Sequence, residues 1–415
     1  MQKLKSGGAA VPYAWFILVI LFVGLVASFG MRASFGAYII PWEEEFSASK
    51  SLVSGVPLLG FAVFAVSQPF IGKLNDRLGK NIVPFVCLIL LVTGSFLTSR
   101  ATHLWQIFIL NGVIFNIGVS GLSNVIVGAI ITNWFVEKRG LALGLAMSGM
   151  AVGQMTMYPT NLIMIERLEW RPTLAMLSII ILVVVGPLFL VFLRCKPHEK
   201  GLKPYGYVES GESIKESEKP VSLPILSIFK QRAFWLLSIP FFICGFTDVG
   251  LINGHLPAIA ISDGKDFAQT VTTAFVLIGV ANIGGTIVTG YLSDRFSRKR
   301  QLAVIYIVRL FTFVLLISLQ RPALLLVFAL IYGAVEMASI APVQSLTVQM
   351  FEGYSVGTIL GVVSISHQLG GSVGSWVPGL LYDITGSYHV MIILSMIMLV
   401  GAAALSLGIS EPGVK

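Results

Sequence analysis

The sequence predicts an all-α polytopic membrane protein, with twelve transmembrane helices in two six-helix bundles. Three observations carry this expectation. Of the 415 residues, 55% are hydrophobic and 12% are charged, against about 25% charged in an ordinary soluble domain. So little polar surface leaves most of the exterior to lipid. Apolar runs of roughly the 20 residues that cross about 30 Å of hydrocarbon recur twelve times. They lie near 14–40, 52–72, 82–98, 104–131, 140–163, 172–193, 233–260, 268–291, 302–319, 323–348, 356–381 and 387–409. Finally, one ten-residue charged segment occurs twice, each time between two of these runs. It reads Gly72-Lys-Leu-Asn-Asp76-Arg77-Leu-Gly79-Lys80-Asn81 and Gly290-Tyr-Leu-Ser-Asp294-Arg295-Phe-Ser-Arg298-Lys299.

Taken in order, the first run follows Lys3 and Lys5 and resembles a signal peptide at first sight. Its 27 residues exceed the 7–15 of a signal-peptide core, so it reads as a span. Runs two and three flank the first charged turn. Run five opens on Arg139-Gly140-xxx-Gly144 and continues to Gly153. After run six comes the one long polar stretch, 195–222, rich in Ser, Glu, Lys, Gly and Pro. That composition cannot bury a core and reads as a linker. The chain therefore divides into a six-helix bundle over 1–194, a cytoplasmic linker over 195–232 and a second bundle over 233–415. Runs eight and nine flank the second charged turn. Run eleven opens on Gly357-xxx-Gly361 and continues to Gly370. The charged turns are offset by 218 residues and the glycines by 217, which points to internal duplication. Small residues four apart in runs five, eight and eleven suit close helix packing in lipid. Prolines 57, 69, 159, 187, 240, 257, 342 and 378 fall inside apolar runs, where each removes a backbone donor and can kink a helix.

The net charge of +8 would suggest nucleic acid in a soluble protein. Here its distribution argues for topology. Twenty of the 28 Lys and Arg fall in the termini, the linker and the loops on their side; six fall in the opposite loops, and Arg32 and Arg309 lie within spans. That is a positive-inside bias, favouring an inner or plasma membrane with both termini cytoplasmic. Cys87, Cys195 and Cys244 are scattered and odd in number, which gives neither a disulfide framework nor a metal spacing. No phosphate loop, His-Glu-x-x-His or Cys-x-x-Cys occurs, so the sequence calls for no enzyme activity, cofactor or metal.

The repeated charged segment resembles the signature loop between helices two and three of the major facilitator superfamily, G-x-L-x-D-R-x-G-R/K-R/K. Gly72, Leu74, Asp76, Arg77, Gly79 and Lys80 match it. The second copy keeps Gly290, Leu292, Asp294, Arg295, Arg298 and Lys299, with Ser297 in place of a glycine. Within that superfamily, the stretch Asn133-Trp134-Phe135 through Arg139-Gly140 to Gly153 is similar to bacterial relatives of the monocarboxylate and oxalate/formate carriers, as are His367-Gln-Leu-Gly-Gly371 and Leu381-Tyr-Asp-x-Thr-Gly386. The animal branch carries Asp and Arg one turn apart in helix eight, where this chain has Asn282 and Thr286. The resemblance implies alternating access by two rocking bundles around a central site, functioning as a monomer. It also implies a cytoplasmic latch formed by Asp76, Arg77, Asp294, Arg295 and Arg139.

Ionisable groups within a bilayer are costly and are functional candidates by default. Arg32, in span one, has a planar fork that can hold an anion; otherwise its stem snorkels outward. Asp248 in span seven and Glu336 in span ten are candidates for proton coupling, with a static ion pair as the alternative. His367 in span eleven is a further substrate or proton candidate, and His255 is a gate candidate near the outer end of span seven. Asn124, Gln154 and Asn282 offer neutral hydrogen bonds to a solute, or else join helices. Arg309 is assigned a structural role. The leading expectation is proton symport of a small organic anion such as a monocarboxylate. Proton-antiport export of a drug or metabolite is the rival, and a non-transporting sensor is a third class. The partners expected are solute, protons and membrane lipid.

Overall fold

The computed structural model describes residues 10–78, 81–207, 225–261, 268–293, 295–318, 321–351 and 356–411. Twelve helical spans account for almost all of them, numbered here α1 to α12. The first, α1, is Ala10–Ala33, prolonged by a 3-10 turn and a short helix to Phe46. It is followed by α2, Lys50–Leu78, and α3, Ile82–Thr98. Next, α4 runs over Leu104–Ser120 and resumes as Asn124–Trp134. Then come α5, Arg139–Leu168, and α6, Trp170–Phe192. After the linker follow α7, Arg232–Ile261, α8, Ala268–Ser293, and α9, Arg298–Ile317. The last three are α10, Pro322–Met350, α11, Val356–Thr385, and α12, His389–Leu407.

Contacts divide the chain into two compact units. Residues through Ser34, with those from Val63 into the linker, form one; Phe35–Ala62 and the residues after the linker form the other. Within the first, α1 packs on α5 and α3 on α6, while Ser120 Oγ of α4 donates to the Phe64 carbonyl of α2 at 3.4 Å. Within the second, α7 packs on α11, α9 on α12 and α8 on α10. Adding six to each helix number of the first set gives the second, so the duplication read from the glycine offsets reappears as one repeated packing scheme. The glycines themselves make the contact. A Cβ on Gly153 would stand 2.5 Å from the Val26 carbonyl of α1, and one on Gly370 would strike the Phe242 carbonyl of α7. Gly144 and Gly361, the other matched pair, have nothing within 4 Å of that position and so are not packing glycines.

Residues 35–62, which the sequence boundary places in the first half, pack on α11. The Asp383 carboxylate accepts from the backbone N–H of Lys50 at 3.1 Å and of Ser51 at 2.9 Å, capping the start of α2. Ser372 Oγ donates to the Leu58 carbonyl at 2.7 Å, and the Lys50 ammonium lies 4.7 Å from the Tyr382 ring centre.

Three features depart from a plain run of spans. The charged segments are not free turns: α2 stays helical through Leu78 and α8 through Ser293. The linker is not uniformly without structure. Pro197–Lys200 forms a 3-10 turn, and Tyr205 pairs with the end of α4, donating to the Trp134 carbonyl at 2.8 Å and accepting from Val136 N–H at 2.9 Å. Residues 208–224, like both chain ends, lie outside the described residues. Lastly, α4 and α10, each read as one continuous run, are broken, at Gly121–Ser123 and Met337–Ser339. The breaks are 216 residues apart, and each is followed by an 11-residue helix. A broken helix frees carbonyls that lipid cannot satisfy. Ser28 Oγ of α1 meets the Leu122 carbonyl at 3.2 Å in the first unit; an arginine serves the break in the second.

Candidate functional site

In the second unit, four helices direct polar side chains into one buried cluster. On α7, Cys244 and Asp248 stand four residues apart, one helical turn. The helix widens to π geometry over Phe246–Ile252, so Asp248 sits in a kind of segment often found at functional sites. On α10, Tyr332 and Glu336 repeat the four-residue spacing, and Glu336 ends the first half of the broken helix. Asn282 comes from α8, with exposed Thr286 one turn further on, and Arg309 comes from α9. Cys244, Asp248, Asn282, Arg309, Tyr332 and Glu336 are all at most 3% exposed.

Hydrogen bonds tie these side chains together across the helices. Tyr332 Oη donates to Asp248 Oδ1 at 3.3 Å. The carboxyl groups of Asp248 and Glu336 sit in the same cluster, near enough for their charges to interact. Asn282 Nδ2 donates to Glu336 Oε2 at 2.7 Å, and Thr286 Oγ1 donates to Asn282 Oδ1 at 3.1 Å. Thus the two residues that stand in place of an Asp and Arg in α8 orient a carboxyl group on α10. Arg309 caps the break in α10: Nη2 donates to the carbonyls of Val335 at 2.9 Å and Glu336 at 2.6 Å. Its Nη1 reaches α7, at 3.3 Å from Thr247 Oγ1, 3.2 Å from Cys244 Sγ and 3.5 Å from the Cys244 carbonyl. A cation at the carbonyl end of a helix is favourably placed, and this one joins three helices. On α11, half-buried His367 packs on the Phe241 ring at 4.6 Å between centres. Sequence reasoning reached Asp248, Glu336, Asn282 and His367 singly. It passed over Cys244, Thr247 and Tyr332, for which the one available signal was a position four residues before Asp248 or Glu336, or one residue before Asp248.

His255 is held away from this cluster. Its Nε2 donates to the Ser375 carbonyl at 2.8 Å, which leaves Nδ1 to accept from Tyr388 Oη at 3.2 Å. Both ring nitrogens are thereby committed, Nε2 joining α7 to α11 and Nδ1 joining it to the residue before α12.

The first unit carries Arg32, 6% exposed, with its guanidinium 3.7 Å from the centre of the Phe64 ring and 5.7 Å from that of Phe29. Gln154 of α5 is buried as well. The side chains of Asn124, Asp76 and Arg139 lie outside the described residues, as does Asp294 altogether. Of the remaining latch candidates, Arg77 is exposed and Arg295 stacks on the Tyr291 ring at 4.3 Å. Beside the second charged segment, Glu411 accepts from Ser297 Oγ at 2.7 Å and from Arg298 N–H at 2.9 Å. These bonds, with the Arg298 charge, outweigh burial and hold its carboxyl below the usual carboxylate range. The Cys195 thiol, at the start of the linker, is pushed up to about 12, mainly by burial.

The paired units and this polar cluster agree with sequence comparison. The family model of the major facilitator superfamily matches residues 20–320 and again 247–415. The chain belongs to the major facilitator superfamily. It is similar to the MFS-type transporter YcxA of Bacillus subtilis, at 25% identity over 94% of this chain and 93% of that one. It is also similar to human monocarboxylate transporter 12, at 23% identity over 94% of this chain and 79% of the relative, and to the MFS transporter asaE of Aspergillus flavus, at 25% over 94% and 85%. Among solved structures, a bacterial homologue of the human lysosomal transporter Spinster, inward-facing and unoccupied, superposes with a TM-score of 0.75 at 15% identity, covering 96% of this chain and 97% of that one. The fold is that of the superfamily, and the chain is a multi-pass membrane transporter.

Proposed function

We propose that this transporter is a secondary active carrier working by alternating access, which moves a small organic anion, such as a monocarboxylate, together with a proton. The observation that carries the reading is the buried Asp248–Glu336 pair. Two buried carboxylates close together repel each other, and a proton shared between them removes that repulsion. Tyr332 and Asn282 supply donors to the two groups, so the pair is built to hold a proton where water is scarce. The Arg309 guanidinium is spread over the backbone carbonyls of three residues, which leaves the carboxyl oxygens to the proton donors. In the first unit, Arg32 is the candidate for holding the anion, its guanidinium oriented by the Phe64 face. A relative named as a monocarboxylate transporter supports that class of solute. Asp76, Arg77, Arg139, Asp294 and Arg295 are proposed as the latch.

The test is uptake of radiolabelled lactate, pyruvate and formate into proteoliposomes, with and without an inward proton gradient. The expected result is gradient-driven accumulation by the native chain. Glu336→Gln and Asp248→Asn should lose it while still exchanging labelled for unlabelled acid. Background flux for every acid would overturn the monocarboxylate assignment. Accumulation indifferent to the gradient would overturn coupling. Solute expelled as protons enter would turn the reading to antiport.

A further inference from the structure

Beside Asp248, which the transport reading already uses, the polar cluster holds two donors that it leaves unassigned, Cys244 and His367. Cys244 Sγ, an Asp248 carboxyl oxygen and a ring nitrogen of His367 all lie within 4.8 Å of one another. We propose that these three side chains form a binding site for a borderline-soft divalent transition-metal ion of the Zn2+ type. Sulfur, nitrogen and carboxylate oxygen together select zinc and its neighbours over Mg2+ or Ca2+, which take oxygen alone. With metal–donor bonds of about 2.0–2.3 Å, tetrahedral ligands sit roughly 3.5 Å apart. Closing from the observed spacing of at most 4.8 Å asks a movement of about 1 Å.

The backbone is already arranged for this. Cys244 and Asp248 are one turn apart on α7. Between them Gly245 lies so close to α11 that a Cβ there would strike the His367 carbonyl oxygen, and Gly370 and Gly374 make the reciprocal approach to Phe242 and Phe246. Close approach of these two helices is what brings the α11 histidine to the α7 pair. Cys244 and Asp248 are buried while His367 is partly open, so the imidazole is the most accessible of the three donors. Charge also balances. Thiolate and Asp248 carboxylate together neutralise a divalent ion, while Arg309 stands beside Glu336. Arg309 Nη1 contacts Sγ at 3.2 Å but has the Cys244 carbonyl and Thr247 Oγ1 as further partners, so it keeps bonds when the sulfur turns to a metal. Metal ligands must be deprotonated, so binding releases protons and weakens as pH falls. The chain spacing hides the site because His367 follows Asp248 by 119 residues.

The test uses the full-length chain purified in detergent and titrated with CoCl2. The expected result is a thiolate-to-cobalt charge-transfer band in the near ultraviolet, bleached by added ZnCl2. Cys244→Ser should abolish the band. His367→Ala and Asp248→Asn should each weaken apparent Co2+ affinity at least about tenfold. The Cys87→Ser/Cys195→Ser double variant should keep the band, since those thiols lie elsewhere. Absence of the band from monodisperse native protein at millimolar Co2+, its persistence in Cys244→Ser, or unchanged affinity in both His367→Ala and Asp248→Asn would each overturn the site. Should Cys244→Ser fail to fold, the other two variants decide. The readout is metal binding and needs no solute movement, so it stands apart from the uptake experiment.

Discussion

Arg309 shows how a buried charge is made tolerable largely by backbone carbonyls. An isolated guanidinium in a lipid-embedded bundle carries a large desolvation penalty, and α10 offsets it by breaking at Met337, which frees the carbonyls of Val335 and Glu336 for Nη2. The arrangement predicts that Arg309→Lys is not conservative. A single ammonium cannot span the break in α10 and the turn of α7 at once, and each buried carbonyl left unmet costs about 1–3 kcal/mol. The midpoint of heat-induced aggregation in detergent, read by size-exclusion chromatography, should fall clearly for Arg309→Lys and further for Arg309→Ala; an unchanged midpoint would remove the capping role. Residue identities made Arg309, Asp248 and Glu336 visible in the sequence, because charge in an apolar run stands out. Their neighbourhood was not visible. Asp248 and Glu336 are 88 residues apart, and nothing in one-dimensional spacing says that α8 and α9 bring Asn282 and Arg309 beside them.

At the scale of the helix, length and hydropathy placed the spans to within a few residues, because crossing hydrocarbon fixes both. Composition could not show the breaks in α4 and α10, where Gly121–Ser123 and Met337–Ser339 continue the apolar pattern without proline. Nor could it show π widening over Phe108–Phe115 and Phe246–Ile252, which depends on partners across the bundle. Small-residue patterns were legible as a class but not glycine by glycine. That distinction is testable with one methyl group. Gly245→Ala places a Cβ against the His367 carbonyl, and backbone cannot yield as a side chain can, so overpacking should cost about 1–3 kcal/mol. Gly361→Ala meets nothing within 4 Å and gains helix propensity of up to about 1 kcal/mol. In thermal unfolding by intrinsic fluorescence, the first variant should melt lower than the native chain and the second equal or higher. The reverse order would mean that α7 and α11 are not in the contact described.

For the whole molecule, the positive-inside count and the structure bear independently on which side the chain begins and ends. In the first unit, Tyr13 at the start of α1 donates to the Phe192 carbonyl at the end of α6 at 2.5 Å, and Lys200 of the linker lies over the Tyr13 ring at 4.7 Å. In the second, Glu411 beyond α12 is bound to Ser297 and Arg298 at the start of α9, and Leu236 at the start of α7 approaches Gly408. Each bundle thus returns to the side of the linker, as six crossings require, and the linker side is the one rich in Lys and Arg. The prediction is that both termini are cytoplasmic. Green fluorescent protein fused at either end should fluoresce in a bacterial host, and alkaline phosphatase fused at either end should stay inactive. Phosphatase inserted after Ser387, in the turn between α11 and α12, should be active. Activity at one terminus alone would demand an odd number of crossings. That cannot be reconciled with a packing scheme in which α1–α5, α2–α4 and α3–α6 recur as α7–α11, α8–α10 and α9–α12, because a parallel repeat requires each half to begin and end on the same face.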